Sequence, residues 1–367
     1  MTSKLDKLTN DVYIWYSGAT DITGKKLVEA LGCSGGRNKP IKPDYKLVVG
    51  WGAKTNKDVS IKADALNHPN NIKSNRNKFK SLQVMRAGNV SVAPFTDDIN
   101  TVAAGTVQLP VIGRTNYHQG GKGFWTCPTM THVIEAGQAG ASYFQEMIEI
   151  KDEYRLHVFD GKVIYAVKKV KRTKGEMEEA FIKHEMDRQK SLAEKNGNPF
   201  DEATAELFLR RQAKKFAQDG ANMLIRSNRL GWRFSKVKNV DSSLEEEAAK
   251  ALSALGLTFG AVDCCMDVNG EPYIIEVNTG PGLEGSTLEA WVAAFKEKIE
   301  SILQPPKKET TTTKRVLKST AKKSRSTSSA GGKKSLIDKL KMAQEMVESA
   351  DEDEAEILTR VFGRMFS

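Results

Sequence analysis

Asp263 to Glu284 reads DCCMDVNGEPYIIEVNTGPGLE, and the run from Glu271 to Val277 alternates with Tyr, Ile and Val as a strand does. Asn269-Gly270 supplies the tight turn ahead of it, because such turns take positive φ, which Asn and Gly tolerate. A hairpin follows. Its first strand, roughly Phe259 to Val268, carries Asp263, and its second ends in Glu276 and Asn278 just before Gly280-Pro281-Gly282. Residues two apart leave the same face of a pleat, so Glu276 and Asn278 point together and folding at the turn sets Asp263 opposite them. Two carboxylates and one amide oxygen form a hard, oxygen-only donor set, suited to Mg2+ or Mn2+ rather than zinc or copper. Such incomplete cages leave positions for water and nucleotide phosphates.

Upstream of this hairpin the chain alternates strands and helices. Asp11 to Ser17 (DVYIWYS) reads as a strand, Thr23 to Leu31 as a helix and Lys46 to Trp51 as a second strand, which suggests a small α/β lobe. Cys33-Ser34-Gly35-Gly36-Arg37 reads as a glycine-rich turn. A helix is expected over Ser74 to Ala87, stopped by Gly88, then a short strand running into Pro94. Leu109 to Arg114 reads as a strand that flows into TNYHQGGKGFW, where glycines around Lys122 let backbone amides approach an anion. Tyr143 to Ile150 is a further strand, and Asp160-Gly161 turns another hairpin.

These stretches, in this order, resemble the ATP-grasp ligases, especially the RimK-like group that extends proteins or peptides with amino acids. The match is carried by Asp263 and by Glu276 through Gly285 (EVNTGPGLEG), and it covers about residues 68 to 300 less an insertion. The resemblance implies an α/β (α+β) chain in which two α+β subdomains clamp ATP. It divides the chain into residues 1–67, an N-terminal lobe; 68–150 and 151–305, the two subdomains, with a mostly helical insertion at 171–223; 306–335, a basic linker; and 336–367, terminal amphipathic helices.

The resemblance also implies roles. Asp263, Glu276 and Asn278 would hold the magnesium ions; Lys78, Arg114 and Lys122 would meet the ATP phosphates; Glu146, with backbone groups of Met147 and Ile148, would grip adenine. Glu153-Tyr154-Arg155 resembles the family's Asp-Ile-Arg run, which places Glu153 beside the nucleotide and Arg155 at the phosphates or the acylating carboxylate. Lys168 or Lys169 would continue that basic wall. Arg226 and Asn228, in Ile225-Arg226-Ser227-Asn228, would face the phosphates and the acceptor. Arg114 stands where the family carries a Lys, which keeps the charge and changes its geometry. The activity implied is carboxylate–amine ligation through an acyl-phosphate, with ATP and Mg2+ as cofactors. A different class, a catalytically idle ATP-grasp module that binds nucleotide and tethers a partner by its tail, is the alternative; retention of three metal ligands favours the ligase.

Composition sets the remaining bounds. Of the 367 residues 39% are hydrophobic and 28% charged, as in ordinary globular chains. The four cysteines include no CxxC pair, which suggests reduced thiols in a cytoplasmic protein. No signal-like or membrane-spanning apolar run is seen. The formal charge of +10 is uneven, since residues 307–335 hold ten Lys or Arg and one Glu. That stretch has almost no apolar residues and is expected to be a flexible linker that attracts nucleic acid or an acidic protein. Residues 336–367 carry four Lys or Arg and eight Asp or Glu, with apolar residues at helical spacing, as in a small docking or oligomerising module.

Overall fold

A computed structural model describes residues 9–40, 45–117 and 123–304. Lys122, the centre of the glycine-rich loop, lies outside the described residues, as do the linker and the terminal segment. The first sheet holds β1 (Val12–Tyr16), β2 (Ser34–Gly36), β3 (Leu47–Trp51) and β4 (Asp64–Leu66), all parallel in the order β2-β1-β3-β4. Helix α1 (Ile22–Leu31) makes the first crossover; Asp21 caps its start by accepting from the Gly24 amide, and Gly32 ends it at φ 62°. The expected α/β lobe is thus present. The expected turn at Cys33 to Arg37 is instead the strand β2, whose Gly35 lies so close to Ile14 and Val28 that a Cβ would overlap both.

The expected helix Ser74 to Ala87 is two helices, α2 (Pro69–Arg76) and α3 (Lys78–Ala87). Asn77 breaks them. It is extended at φ −79°, ψ 107°, and its side chain accepts from the Lys80 amide, so a residue that competes with helical hydrogen bonds caps the second helix. Residues 90–94 form no strand; only Phe95–Thr96 (β5) pairs, because Ser91 is taken up by hydrogen bonds with Pro272 and Ile274. After α4 (Ile99–Ala103), β6 (Val111–Arg114), β7 (Phe124–Cys127), α5 (Met130–Gln138) and β8 (Tyr143–Glu146) complete an antiparallel sheet of order β5-β8-β6-β7.

The third sheet is antiparallel and carries the hairpin. It contains β9 (Ile150–Phe159), β10 (Lys162–Lys171), β11 (Trp232–Lys236), β12 (Phe259–Asp267) and β13 (Pro272–Asn278), ordered β11-β10-β9-β12-β13. Between β10 and β11 the insertion folds as two helices, α6 (Lys174–Asn196) and α7 (Glu202–Asp219). Helix α8 (Ser242–Ala254) covers one face of the sheet, packing Leu244, Ala248, Ala251 and Leu252 against Leu156, Val158 and Val262. Helix α9 (Ser286–Leu303) closes a second cluster in which Trp51, Phe159, Phe259, Trp291 and Phe295 meet at centroid distances of 4.9–6.2 Å. Burying each such ring contributes on the order of 2 kcal/mol, so this cluster ties the first sheet to the third. All four cysteines are unpaired. No described helix is long and apolar enough to cross a membrane.

Candidate functional site

The face of the third sheet turned away from α8 carries a row of ionisable side chains. Strand periodicity produces it: in β9, Tyr154, Leu156 and Val158 enter the core, so Glu153, Arg155 and His157 take the other face. Cross-strand register then lines up their neighbours. Asp263 pairs with Arg155 on one side and with Glu276 on the other, and Asn278 pairs with Ala261. A β-bulge between Asp263 and Cys264 leaves Ile275 as the extra residue of β13. Because of it, Ile274 turns into the core at 1% exposure while Glu276 stays beside Asp263; unbroken alternation would place both on one face.

Asp263 is buried at 5% exposure and is held by Arg155, whose Nε and Nη2 donate to Oδ1 at 2.7 Å and Oδ2 at 2.8 Å. Lys169 Nζ stands 3.9 Å from the same Oδ2. Burial alone would raise the Asp263 pKa, but Arg155 and then Lys169 outweigh it and keep the carboxylate below its usual range. Glu276 is held from another element. Lys78 Nζ, at the first residue of α3, lies 3.1 Å from Glu276 Oε2 and depresses the Glu276 pKa, against opposition from burial and Asp263. Arg114, at the end of β6, adds to that depression and lines a small cleft with Lys78, Tyr143 and Glu276. Lys78 is positioned by residues that sequence reasoning missed: Asn75 donates to the Val277 carbonyl at 2.9 Å, and Ser81 donates to Asn75 at 2.9 Å, which fastens the α2–α3 junction to β13.

A second ionic group sits beside the first. Glu153 is bonded to Lys169 and lies 3.7 Å from Arg226 Nε, with all three side chains 8–9% exposed. Burial raises the Glu153 pKa more than Lys169 and Arg226 lower it. Arg226 also donates to the Ile150 carbonyl at 3.0 Å and stacks 4.8 Å over Trp232. Of the paired lysines at 168 and 169, only Lys169 joins this row; Lys168 turns to Asp152 at 2.7 Å. Strand β11, which sequence periodicity did not reveal, brings Phe234 to within 5.3 Å of Arg155 and 5.9 Å of Lys169.

Other expected residues stand further out. Asn278 Oδ1 accepts from the Gly280 amide at 3.1 Å, a turn that leaves a lone pair of that oxygen unused. Asn228 is exposed and accepts from Arg172 at 3.3 Å. Glu146 accepts from the Gln108 amide at 2.6 Å, the Met147 amide donates to the Pro110 carbonyl at 2.9 Å, and Ile148 follows in the connection to β9. The first sheet also reaches this region: the Gly52 amide donates to Thr279 at 3.0 Å, and Gly280 packs so close to Gly52 that a Cβ there would sit 3.0 Å from its Cα. The oxygens of Asp263, Glu276 and Asn278 are hard and mostly anionic, the chemistry that a divalent cation favours.

No family model and no curated protein matches the sequence. Among solved structures, ATP-grasp ligase PsnB complexed with minimal precursor is 11% identical, over 80% of this chain and 99% of that one, at a TM-score of 0.50. A PsnB structure complexed with a phosphomimetic variant of minimal precursor, Mg and ADP gives the same figures. The D-alanine–D-alanine ligase of Bacillus anthracis complexed with ATP is 12% identical, over 80% of this chain and 96% of that one, at 0.50. Likeness at such identities is likeness of fold, and the fold of this chain is that of the ATP-grasp ligases.

Proposed function

We propose that the protein is an ATP-dependent carboxylate–amine ligase of RimK-like type, joining an amino acid to a protein, peptide or small amino compound. The observation that carries this reading is the cross-strand pairing of Asp263 with Glu276 inside a ring of Lys78, Arg114, Arg155 and Lys169. In the proposed reaction a substrate carboxylate oxygen attacks the γ-phosphorus of ATP and ADP leaves. An amine then adds to the acyl carbon, and inorganic phosphate departs as the nitrogen loses a proton.

The donor chemistry of Asp263, Glu276 and Asn278 fits Mg2+, and Mn2+ would suit the same oxygens; the metal would neutralise charge between the β- and γ-phosphates. Lys78 and Arg155 now hold Glu276 and Asp263. On nucleotide binding they would exchange these carboxylates for phosphate oxygens, which would leave Glu276 and Asp263 available to hold a metal. Arg114 and Lys122 would add fixed cations at the transferred group. Glu153 holds Lys169 and Arg226 in place, so their positive charge is fixed before substrate arrives. Arg226 and Asn228 would flank the acceptor, and Glu146, Met147 and Ile148 the adenine.

Release of ADP from Mg-ATP is the test, with pooled amino acids and a whole-cell protein extract as acceptors. Wild-type protein is expected to turn over only with an acceptor, and Glu276→Ala to lower that rate by at least about 10²-fold, the scale on which preorganised charge acts. Tight ATP binding without acceptor-dependent turnover would instead identify an idle nucleotide-binding module.

A further inference from the structure

Among the described residues, nothing covers the outer face of helix α7 of the insertion. Its inner stripe, Leu209, Ala213 and Ala217, is buried at 0–1% exposure, and at 100° per residue the opposite side carries Leu207, Phe208, Arg211, Lys214 and Lys215. Leu207 is 64% and Phe208 61% exposed. None of Arg211, Lys214 and Lys215 forms an ion pair among the described residues, whereas Arg210, turned to the side, is paired with Glu206. From Arg210 through Gln218 the helix holds no acidic residue. Two large apolar side chains flanked by three unpaired cations make a surface for an acidic segment that carries apolar side chains of its own.

The chain contains such a segment. Residues 347–362 read VESADEDEAEILTRVF, with Glu348, Asp351, Glu352, Asp353, Glu354 and Glu356 against a single Arg, followed by Ile357, Leu358, Val361 and Phe362. We propose that residues 347–362 dock on the outer face of α7 of the same chain, their carboxylates on Arg211, Lys214 and Lys215 and their apolar residues on Leu207 and Phe208. The described chain ends at Gln304, so residues 305–346 form the tether, which spans up to roughly 140 Å when extended. That exceeds the width of a domain of this length, whose radius of gyration is about 19 Å. Tethering supplies an effective concentration of about 1 mM, so a contact as weak as about 0.1 mM in isolation would be mostly closed. The basic stretch 307–335 competes for the same acidic residues, but it offers almost no apolar surface to Ile357, Leu358, Val361 and Phe362. Docking of this kind is independent of the ligase chemistry.

Amide hydrogen exchange on the full-length chain tests it. Amides of 347–362 are expected to exchange at least about tenfold more slowly than in a free peptide of that sequence. The variant Arg211→Glu/Lys214→Glu/Lys215→Glu, altered only on exposed positions, should remove that protection. So should Asp351→Lys/Glu352→Lys/Asp353→Lys/Glu354→Lys, and combining the two sets should restore it, because the charges are then exchanged. Protection should weaken as salt rises from 0.05 to 0.5 M and stay constant on tenfold dilution. Absence of protection in the wild type, or protection that ignores the α7 reversals, overturns the assignment; the latter would mean that 307–335 covers the acidic run. Protection lost on dilution also overturns it, in favour of docking on a second copy.

Discussion

His157 lies two residues beyond Arg155 on the same face of β9, and its Nδ1 accepts the Trp291 indole N–H at 2.9 Å. Burial first, and then the Arg155 charge, push its pKa down from 6.5 to about 4, with Asp263 opposing weakly. The folded chain therefore refuses a proton that the unfolded chain accepts. The contribution of His157 to stability is complete above about pH 6.5 and declines as pH falls from there to about 4, where the folded imidazole protonates as well. The full loss is about 3 kcal/mol, at about 1.4 kcal/mol for each unit of difference. His157→Gln keeps an acceptor for Trp291 but cannot titrate. Its urea midpoint is expected to fall less than that of the wild type between pH 6.5 and 4, and equal declines would show that His157 is not the group responsible. Sequence alone gave no hint of this, because the partner is 134 residues away and strand alternation cannot say which buried position faces an indole. The Glu153 carboxylate is engaged by Lys169 and Arg226, partners set by register rather than by spacing.

At the scale of elements, β12 depends on a residue that carries no chemistry. Asn67, just past β4, is buried at 1% exposure and adopts φ 53°; its side chain accepts from the Thr258 and Phe259 amides at 2.8 and 3.1 Å and donates to the Phe259 carbonyl at 2.8 Å. It thus clamps the start of the strand that bears Asp263 to the first sheet. Gly50 makes room for the clamp, since a Cβ there would strike the Asn67 carbonyl. Asn67→Gly removes the side chain while easing the positive φ, so a purely conformational role predicts no loss. Three backbone groups left without partners predict a loss of about 2–4 kcal/mol, readable as a lower urea midpoint. The β12–β13 hairpin and the β1-α1-β3 lobe were legible because alternation, a helical stripe and an Asn-Gly turn all agreed there. Strands β2, β7 and β11 were not: β2 is two-thirds glycine, and the aromatic residues of β7 and β11 cover cations, with Phe124 5.7 Å from Arg114 and Trp232 4.8 Å from Arg226. The Asp263, Glu276 and Asn278 alignment was legible in outline, yet the bulge at Ile275 that keeps Glu276 on the site face lay below what alternation resolves.

Across the whole molecule, the candidate site draws one cation from each of four elements: Lys78 from α3, Arg114 from β6, Arg155 from β9 and Lys169 from β10. Two of them are bound to the carboxylates of Glu276 and Asp263, so both carboxylates are already neutralised. A divalent cation arriving alone must displace Lys78 and Arg155, which then lose their partners in partly desolvated positions. In the proposed site, nucleotide phosphates would give those two side chains new partners, so metal and nucleotide are expected to bind cooperatively. Thermal unfolding reads this without any turnover. Mg2+ alone is expected to move Tm by less than about 1 °C. Mg2+ with a non-hydrolysable ATP analogue at 100 times its Kd contributes about 2.7 kcal/mol, or roughly 4 °C for a chain of this size. Nucleotide without the metal should give a smaller shift, because its phosphates face uncompensated carboxylates. In Glu276→Ala the difference between the shifts with and without Mg2+ should shrink, since one proposed metal donor is gone and Lys78 has lost its carboxylate partner. A shift with Mg2+ alone as large as that with Mg2+ and nucleotide together would mean that Lys78 and Arg155 do not restrain the two carboxylates.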